Sequence, residues 1–478
     1  MSTMLHRNYV DGRWVGTTAV PNINPSDRSD VVGEYAFGDA ALVREAVAAA
    51  RAAFPQWSRS PIQMRFDLLD AVGTEILARK DELGALLARE EGKIVAEATG
   101  EVVRAGQLFK FFAGEALRLD GELLPSTRAG VTVEVTREPL GVVGLIAPWN
   151  FPIAIPAWKI APALAYGNCV VFKPAQLVPG SAWALGEIIA RHGIPAGAFN
   201  LVMGDADAGA ALVEAAGVDA LSFTGSIAVG RTIAQRAAQR QVRVQLEMGG
   251  KNPLVVLDDA DLDLAVECAL NGAYYSSGQR CTASSRLIVT RGIHDRFVDA
   301  LAGRVRTLRV GSPLDAQTQM GPVVGQQQLD KVLEYVAIGK SEGARAIVAG
   351  ERLSLEHNGF YVGPTLFSET HNAMRINREE IFGPVATVIA AADYDEAIAI
   401  ANDTPFGLSA GICTTSLAHA SAFKRDAQAG LVMVNVPTAG VDYHVPFGGR
   451  KGSSYGPREQ GRYAREFYTT IKTAYVSA

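Results

Sequence analysis

The feature that most restricts how this chain can fold is a rhythm. Short apolar runs, each stopped by a turn, alternate with stretches patterned as helices. Leu140–Ala147 ends at Pro148, and Cys169–Phe172 ends at Lys173-Pro174. Phe199–Val202 closes at Met203-Gly204, Ala220–Phe223 at Thr224-Gly225-Ser226, and Val242–Glu247 at Met248-Gly249-Gly250. Ala182–Arg191 and Ile227–Arg240 lie between them, with apolar residues at helical spacing. Strands that read as unbroken apolar runs are covered on both faces, and helical crossovers make them parallel. The rhythm therefore predicts an α/β fold with a doubly wound, Rossmann-like sheet.

The rhythm restarts after Gly250. Asn252–Leu257 and Ser285–Val289 read as strands around a helix at Leu262–Tyr275, and further units run to Asn435, which predicts a second α/β domain. With 478 residues the chain is too long for one core. Upstream, Asp39–Phe54 and Ile62–Arg89 read as amphipathic helices. Glu122–Glu138, with VTVEVTREP, alternates like a half-exposed strand, and Tyr463–Tyr475 like an edge strand.

Composition narrows the function. A net charge of −5 and a pI of about 5.9 leave no electrostatic footprint for nucleic acid or an anionic membrane. No run reaches the roughly 18 apolar residues of a membrane span, and the N-terminus lacks a signal-peptide core. The four cysteines, Cys169, Cys268, Cys281 and Cys413, are scattered without a CxxC pair, so neither a metal site nor a disulfide framework is expected. A reduced, cytoplasmic protein is the natural reading.

Four positions carry chemistry. Cys281, in Gly278-Gln279-Arg280-Cys281-Thr282, sits between a helix and a strand, where a thiolate could act as nucleophile. Glu247 ends an apolar strand against two glycines, where burial would raise its pKa and suit it as a base. Asn150, between Pro148 and Pro152, could donate to an oxyanion. Thr224-Gly225-Ser226 joins a strand to a helix, a place for a pyrophosphate, although Gly225 and Gly230 are spaced GxxxxG rather than GxGxxG. Each has a plainer reading: a buried structural thiol, a helix cap, a turn asparagine, an ordinary strand–helix turn.

Together PWNFP, FKPA, FTGS, LEMGGKNP, GQRCT, EEIFGPV and PFGG, in this order, resemble the aldehyde dehydrogenase superfamily from about Tyr9 to the C-terminus. The resemblance implies oxidation of a small-molecule aldehyde to a carboxylate with NAD or NADP, with Cys281 as nucleophile and Glu247 as general base. Asn150 and the Cys281 backbone N–H would form the oxyanion hole, and Lys159 and Glu459 would relay protons to Glu247. Lys173 would hold the adenosine ribose, with Ile146, Pro148 and Trp149 along the cofactor cleft. Thr224, Gly225 and Ser226 would follow the pyrophosphate, and Glu380 and Phe382 would hold the nicotinamide ribose. Phe151, Trp158 and Phe447 match substrate-tunnel positions. The implied partition is a cofactor domain (1–121 and 140–247), a catalytic domain (248–445), an oligomerisation element (122–139 and 462–478) and a return segment (446–461). A homodimer or homotetramer follows.

Two refinements concern specificity. Strict NAD members of the family often carry an acid three residues after the lysine; here that position is Gln176, so NADP should be tolerated or preferred. The segment from Asp442 to Tyr475 is similar to the α-ketoglutaric semialdehyde (2,5-dioxovalerate) dehydrogenase subgroup, which implies a short oxo-acid semialdehyde. Arg280 or a neighbour is the expected anchor for its carboxylate, the plainer reading being that Arg280 turns away into an internal ion pair. The alternatives are a broad-specificity aliphatic or aromatic aldehyde dehydrogenase, an acyl-transferring relative using coenzyme A, which Glu247 disfavours, and a non-catalytic protein with this fold.

Overall fold

A computed structural model describes residues 4–355 and 357–477. Two large sheets carry the fold. The first has eight strands, in the order Ser454–Tyr455, Arg243–Glu247, Ala220–Thr224, Val142–Ile146, Cys169–Lys173, Phe199–Leu201, Asn8–Val10 and Arg13–Val15. Its five central strands are parallel, and the flanking strands join antiparallel. Ala220–Thr224 and Cys169–Lys173 are buried along their whole length, as their continuous apolar sequence requires.

The second sheet has seven strands, ordered Arg345–Val348, Thr365–Thr370, Val385–Ala391, Ser284–Thr290, Asn252–Val256, Ser409–Cys413 and Leu431–Val434. All pairings except that of Arg345–Val348 are parallel. The fold class is thus the expected α/β arrangement. A third sheet pairs Thr469–Ser477, Val131–Pro139 and Glu122–Pro125 antiparallel, with Leu123, Ile471 and Tyr475 exposed.

Three local readings change. The stretch read as one helix from Ile62 is two, Ile62–Ala78 and Lys80–Glu91, broken at Arg79, whose side chain is drawn off to Glu75, Glu82 and Glu187. Helix Val95–Ala116 has no counterpart in the sequence reading. The segment Tyr463–Tyr475 starts in helical turns, Arg462–Ala464 and Arg465–Tyr468, before its strand begins at Thr469. The Arg243 guanidinium holds that helical end by donating to the carbonyls of Glu466, Phe467 and Thr469.

Candidate active site

The site forms where the parallel strands end, the usual place for a crevice in such sheets. Strand Val142–Ile146 runs into the turn Ala147–Pro152. One residue pair, Lys93 and Glu101, fixes that turn from behind. Lys93 Nζ donates to the Asn150 carbonyl (2.6 Å) and to Glu101 (2.7 Å), and lies 3.9 Å above the Phe151 ring. Glu101 accepts from the backbone N–H groups of Ile153 and Ala154 (2.9 and 3.1 Å). Both side chains are about 1% exposed. A buried pair of this kind is stable only when fully hydrogen-bonded, and here it converts charge into backbone position.

Cys281 follows three consecutive left-handed residues, Ser276, Ser277 and Gly278 (φ 51°, 54° and 66°). Only the last is a glycine, so the other two hold a conformation costing on the order of 1–3 kcal/mol each. Asn150 Nδ2 donates to the Gln279 carbonyl at 3.0 Å, which leaves its second N–H free beside Cys281. Burial, with the negative charges of Glu380 and Glu247, pushes the Cys281 thiol up to about 12. It therefore rests as the neutral thiol.

Glu247 closes strand Arg243–Glu247. Burial first, then the charge of Glu459, raise its carboxyl well above the usual range, while Ser454 Oγ donates to it at 2.5 Å. Behind it, Lys159 Nζ donates to Glu459 and to Ser222 Oγ (2.7 Å), and Ser222 reaches Gln245 at 3.0 Å. One Glu459 oxygen, Oε2, stays buried without a partner.

Two cavities meet at Cys281. The first, about 650 Å³, is lined by Pro148, Trp149, Asn150, Thr224, Gly225, Ser226, Glu380 and Phe382. Trp149 meets Phe382 edge-on at 5.3 Å. Glu380 Oε1 accepts from the Gly250 N–H at 2.9 Å, and a side chain at Gly249 would collide with that carboxylate. Farther along the first sheet lies a slot of about 790 Å³, bordered by Ile146, Lys173, Val213 and Phe223. Burial lowers the Lys173 ammonium to about 8. Between slot and cavity, Ser226 Oγ caps helix Ile227–Gln239, and a Cβ on Gly225 would come within 2.5 Å of the Phe223 ring. Thr224 Oγ1 is buried there without a partner. Gln176 sits exposed on the turn beyond Lys173 and borders neither space.

The second cavity, about 900 Å³, opens on the other side of Cys281. Phe151, Trp158 and Phe447 wall it, with Trp158 stacked on Phe447 at 5.3 Å. Arg280 borders it too, but its guanidinium is engaged by Glu97 (2.9 Å), Ser276 Oγ (3.0 Å) and Asn271 (3.3 Å). This corrects the expectation of a free carboxylate anchor at Arg280: the charge is neutralised within the protein. Lys93, Glu101, Ser454 and Arg104 are site residues that the sequence reading missed. They lie outside every recognisable motif except the return segment, and only tertiary contacts bring them here.

Comparison with known proteins gives the chain its relatives. The model of the aldehyde dehydrogenase family matches residues 14–474. The α-ketoglutaric semialdehyde dehydrogenase of Bacillus subtilis is 43% identical, over 98% of this chain and 97% of that one. The 2,5-dioxopentanoate dehydrogenase of Saccharolobus solfataricus is 40% identical over 95% of each chain. Betaine aldehyde dehydrogenase from Staphylococcus aureus, crystallised with NAD+, superposes with a TM-score of 0.96 at 34% identity, over 99% of this chain and 94% of that one.

Proposed function

The chain belongs to the aldehyde dehydrogenase family and is an NAD(P)-dependent aldehyde dehydrogenase, and from that premise we propose that it oxidises a short oxo-acid semialdehyde, such as α-ketoglutaric semialdehyde, through a thioester on Cys281. The observation that carries the substrate reading is the second cavity, which starts at Cys281 and combines aromatic walls with arginine. Relatives named for this substrate match nearly the whole chain.

The residues present fit an extended dinucleotide. Adenosine suits the slot at Ile146 and Lys173, the pyrophosphate suits Thr224–Ser226 at a helix N-terminus, and the nicotinamide ribose suits the Glu380 carboxylate. Bound there, NAD(P) supplies the two-electron oxidant that turning an aldehyde into an acid requires. Lys173 has no hydrogen-bond partner among the described residues, and Gln176 adds no negative charge, so NADP is accepted beside NAD.

The Cys281 thiol gives its proton to water, and the sulfur attacks the aldehyde carbon as the carbonyl π pair moves onto oxygen. The free N–H of Asn150 and the backbone N–H of Cys281 receive the developing oxyanion. After oxidation the acyl group remains on sulfur as a thioester. Glu247, its carboxyl raised by burial and so made a stronger base than a free carboxylate, takes one from water. The water oxygen bonds to the acyl carbon, the C–S bond breaks, and sulfur recovers its electron pair. Lys159 and Glu459 pass the proton away from Glu247. A second copy of the chain covers the apolar edge of the third sheet, giving a homodimer or homotetramer. Among the described residues no helix is long and apolar enough to cross a membrane.

Initial rates with α-ketoglutaric semialdehyde, succinic semialdehyde and pentanal, each with NAD and NADP, test this. The expected result is a higher kcat/KM for the two acids, with no gain from added coenzyme A. A preference for pentanal overturns the substrate reading.

A further inference from the structure

The charged wall of the second cavity has one cation without an ion-pair partner among the described residues. Arg104 comes from helix Val95–Ala116 and lines the space that also contains Cys281. Among the described residues its one hydrogen bond runs from Nη2 to Gln460 Oε1, at 2.9 Å, and the guanidinium lies 5.6 Å from the Trp158 ring centroid. Among the described residues no carboxylate forms an ion pair with it. Nε is buried without a partner, and Nη1 makes no hydrogen bond within the protein.

The acidic groups near it do not fill that role. Glu101, one turn earlier on the same helix, is bound by Lys93 and two backbone N–H groups. Asp442 is exposed on the loop beside the cavity. The other arginine of the cavity, Arg280, is neutralised by Glu97. The unpartnered buried polar atoms among the cavity's residues are both donors, Arg104 Nε and Trp158 Nε1. A buried donor without a partner is costly, and the second N–H of Arg104 Nη2, paired with Nε or Nη1, presents an edge that matches a carboxylate in two-point contact.

We propose that Arg104 is the carboxylate receptor of this active site, held by Gln460 and Trp158 so that an oxo acid spans the cavity with its aldehyde at Cys281. This rests on the reading that the substrate carries a carboxylate. The guanidinium keeps its charge at neutral pH even though burial lowers it to about 10. Gln460 acts as a positioning residue: it is fully buried, has a left-handed backbone (φ 59°) and gives its carbonyl to Arg104.

The test compares wild type, Arg104→Gln and Arg104→Lys on ω-oxo acids of four to six carbons and on uncharged aldehydes of matched length. The readout is the ratio of kcat/KM for acid to that for its uncharged match, which loss of folding alone does not move. In Arg104→Gln that ratio should fall roughly 30- to 300-fold, the size of losing charge-assisted hydrogen bonds, mainly through KM. Arg104→Lys should recover part of it, since it keeps the charge and loses the fork. If wild type prefers acids and the ratio survives in Arg104→Gln, the receptor is elsewhere and the substrate reading stands. If wild type prefers uncharged aldehydes, that reading fails and takes this inference with it.

Discussion

The two cavities that meet at Cys281 are built to opposite specifications. On the side of Glu380, a half-buried carboxylate and backbone N–H groups line a space assembled largely from turns, and glycines are required where Gly225 and Gly249 approach Phe223 and Glu380. On the side of Arg104, aromatic rings and positive charge line a space built from helix side chains and several loops. A carboxylate on the first side suits sugar hydroxyls, and a cation on the second suits an acid. The difference teaches how one nucleophile serves two ligands. The turn Ala147–Pro152 gives Trp149 and Asn150 to one cavity and Phe151 to the other, and the Lys93–Glu101 pair holds that shared partition.

The sharpest break is at the joint itself. Cys281→Ala should lower kcat by 10⁴-fold or more, on the order expected for a lost nucleophile, while calorimetry still finds NAD(P) binding. Residual turnover near wild type would remove the thioester from the mechanism. Glu247→Gln should lower steady-state kcat by roughly 10²- to 10⁴-fold, leaving a burst of one NAD(P)H per site in stopped flow, because acylation outruns hydrolysis. Absence of a burst would place Glu247 before the thioester instead.

The pH profile follows with its sign. Hydrolysis needs Glu247 deprotonated, so kcat should rise with pH through the pKa of that raised carboxyl. Lys159→Met removes a cation that lowers that pKa and should move the acidic limb to higher pH. Glu459→Gln removes an anion that raises it and should move the limb to lower pH. Shifts in the opposite directions would separate the buried network from Glu247.

Smaller effects address the partition and then one side alone. Lys93→Met leaves Glu101 buried without its cation and loosens the Asn150 turn. It should destabilise the fold by about 3–5 kcal/mol and reduce kcat by about 10²-fold, read by thermal melts and by rates below the melting range. Although Gln176 does not line the slot, it follows Lys173 by three residues, so the added charge of Gln176→Glu should lower the NADP-to-NAD ratio of kcat/KM by about 3-fold through longer-range repulsion of the 2′-phosphate, with the aldehyde KM unchanged. If the aldehyde KM moves as well, the two sides are not independent.

The legible parts of the molecule are those in which chemistry is local. The apolar runs announced the central strands because burial on both faces leaves no room for polar residues. Turns such as Thr224-Gly225-Ser226 stood out because close backbone approach demands glycine. Arg104 was illegible because its environment is made by Gln460, 356 residues along the chain, on a helix that the sequence reading passed over. Arg280 misled for the complementary reason: its position beside Cys281 is local, but Glu97, which neutralises it, is 183 residues away. The helical start of Arg462–Tyr468 was hidden because it is held by Arg243 from another strand. Periodicity reports what a residue faces, and ion-pair partners are a property of the assembled fold.

Burial and the charges of Glu380 and Glu247 raise the Cys281 thiol, so an idle active site holds its nucleophile mostly in the less reactive neutral form. Any charge that a ligand brings beside Cys281 therefore acts on its protonation as well as on binding, and alkylation rates measured with and without each ligand read that coupling directly.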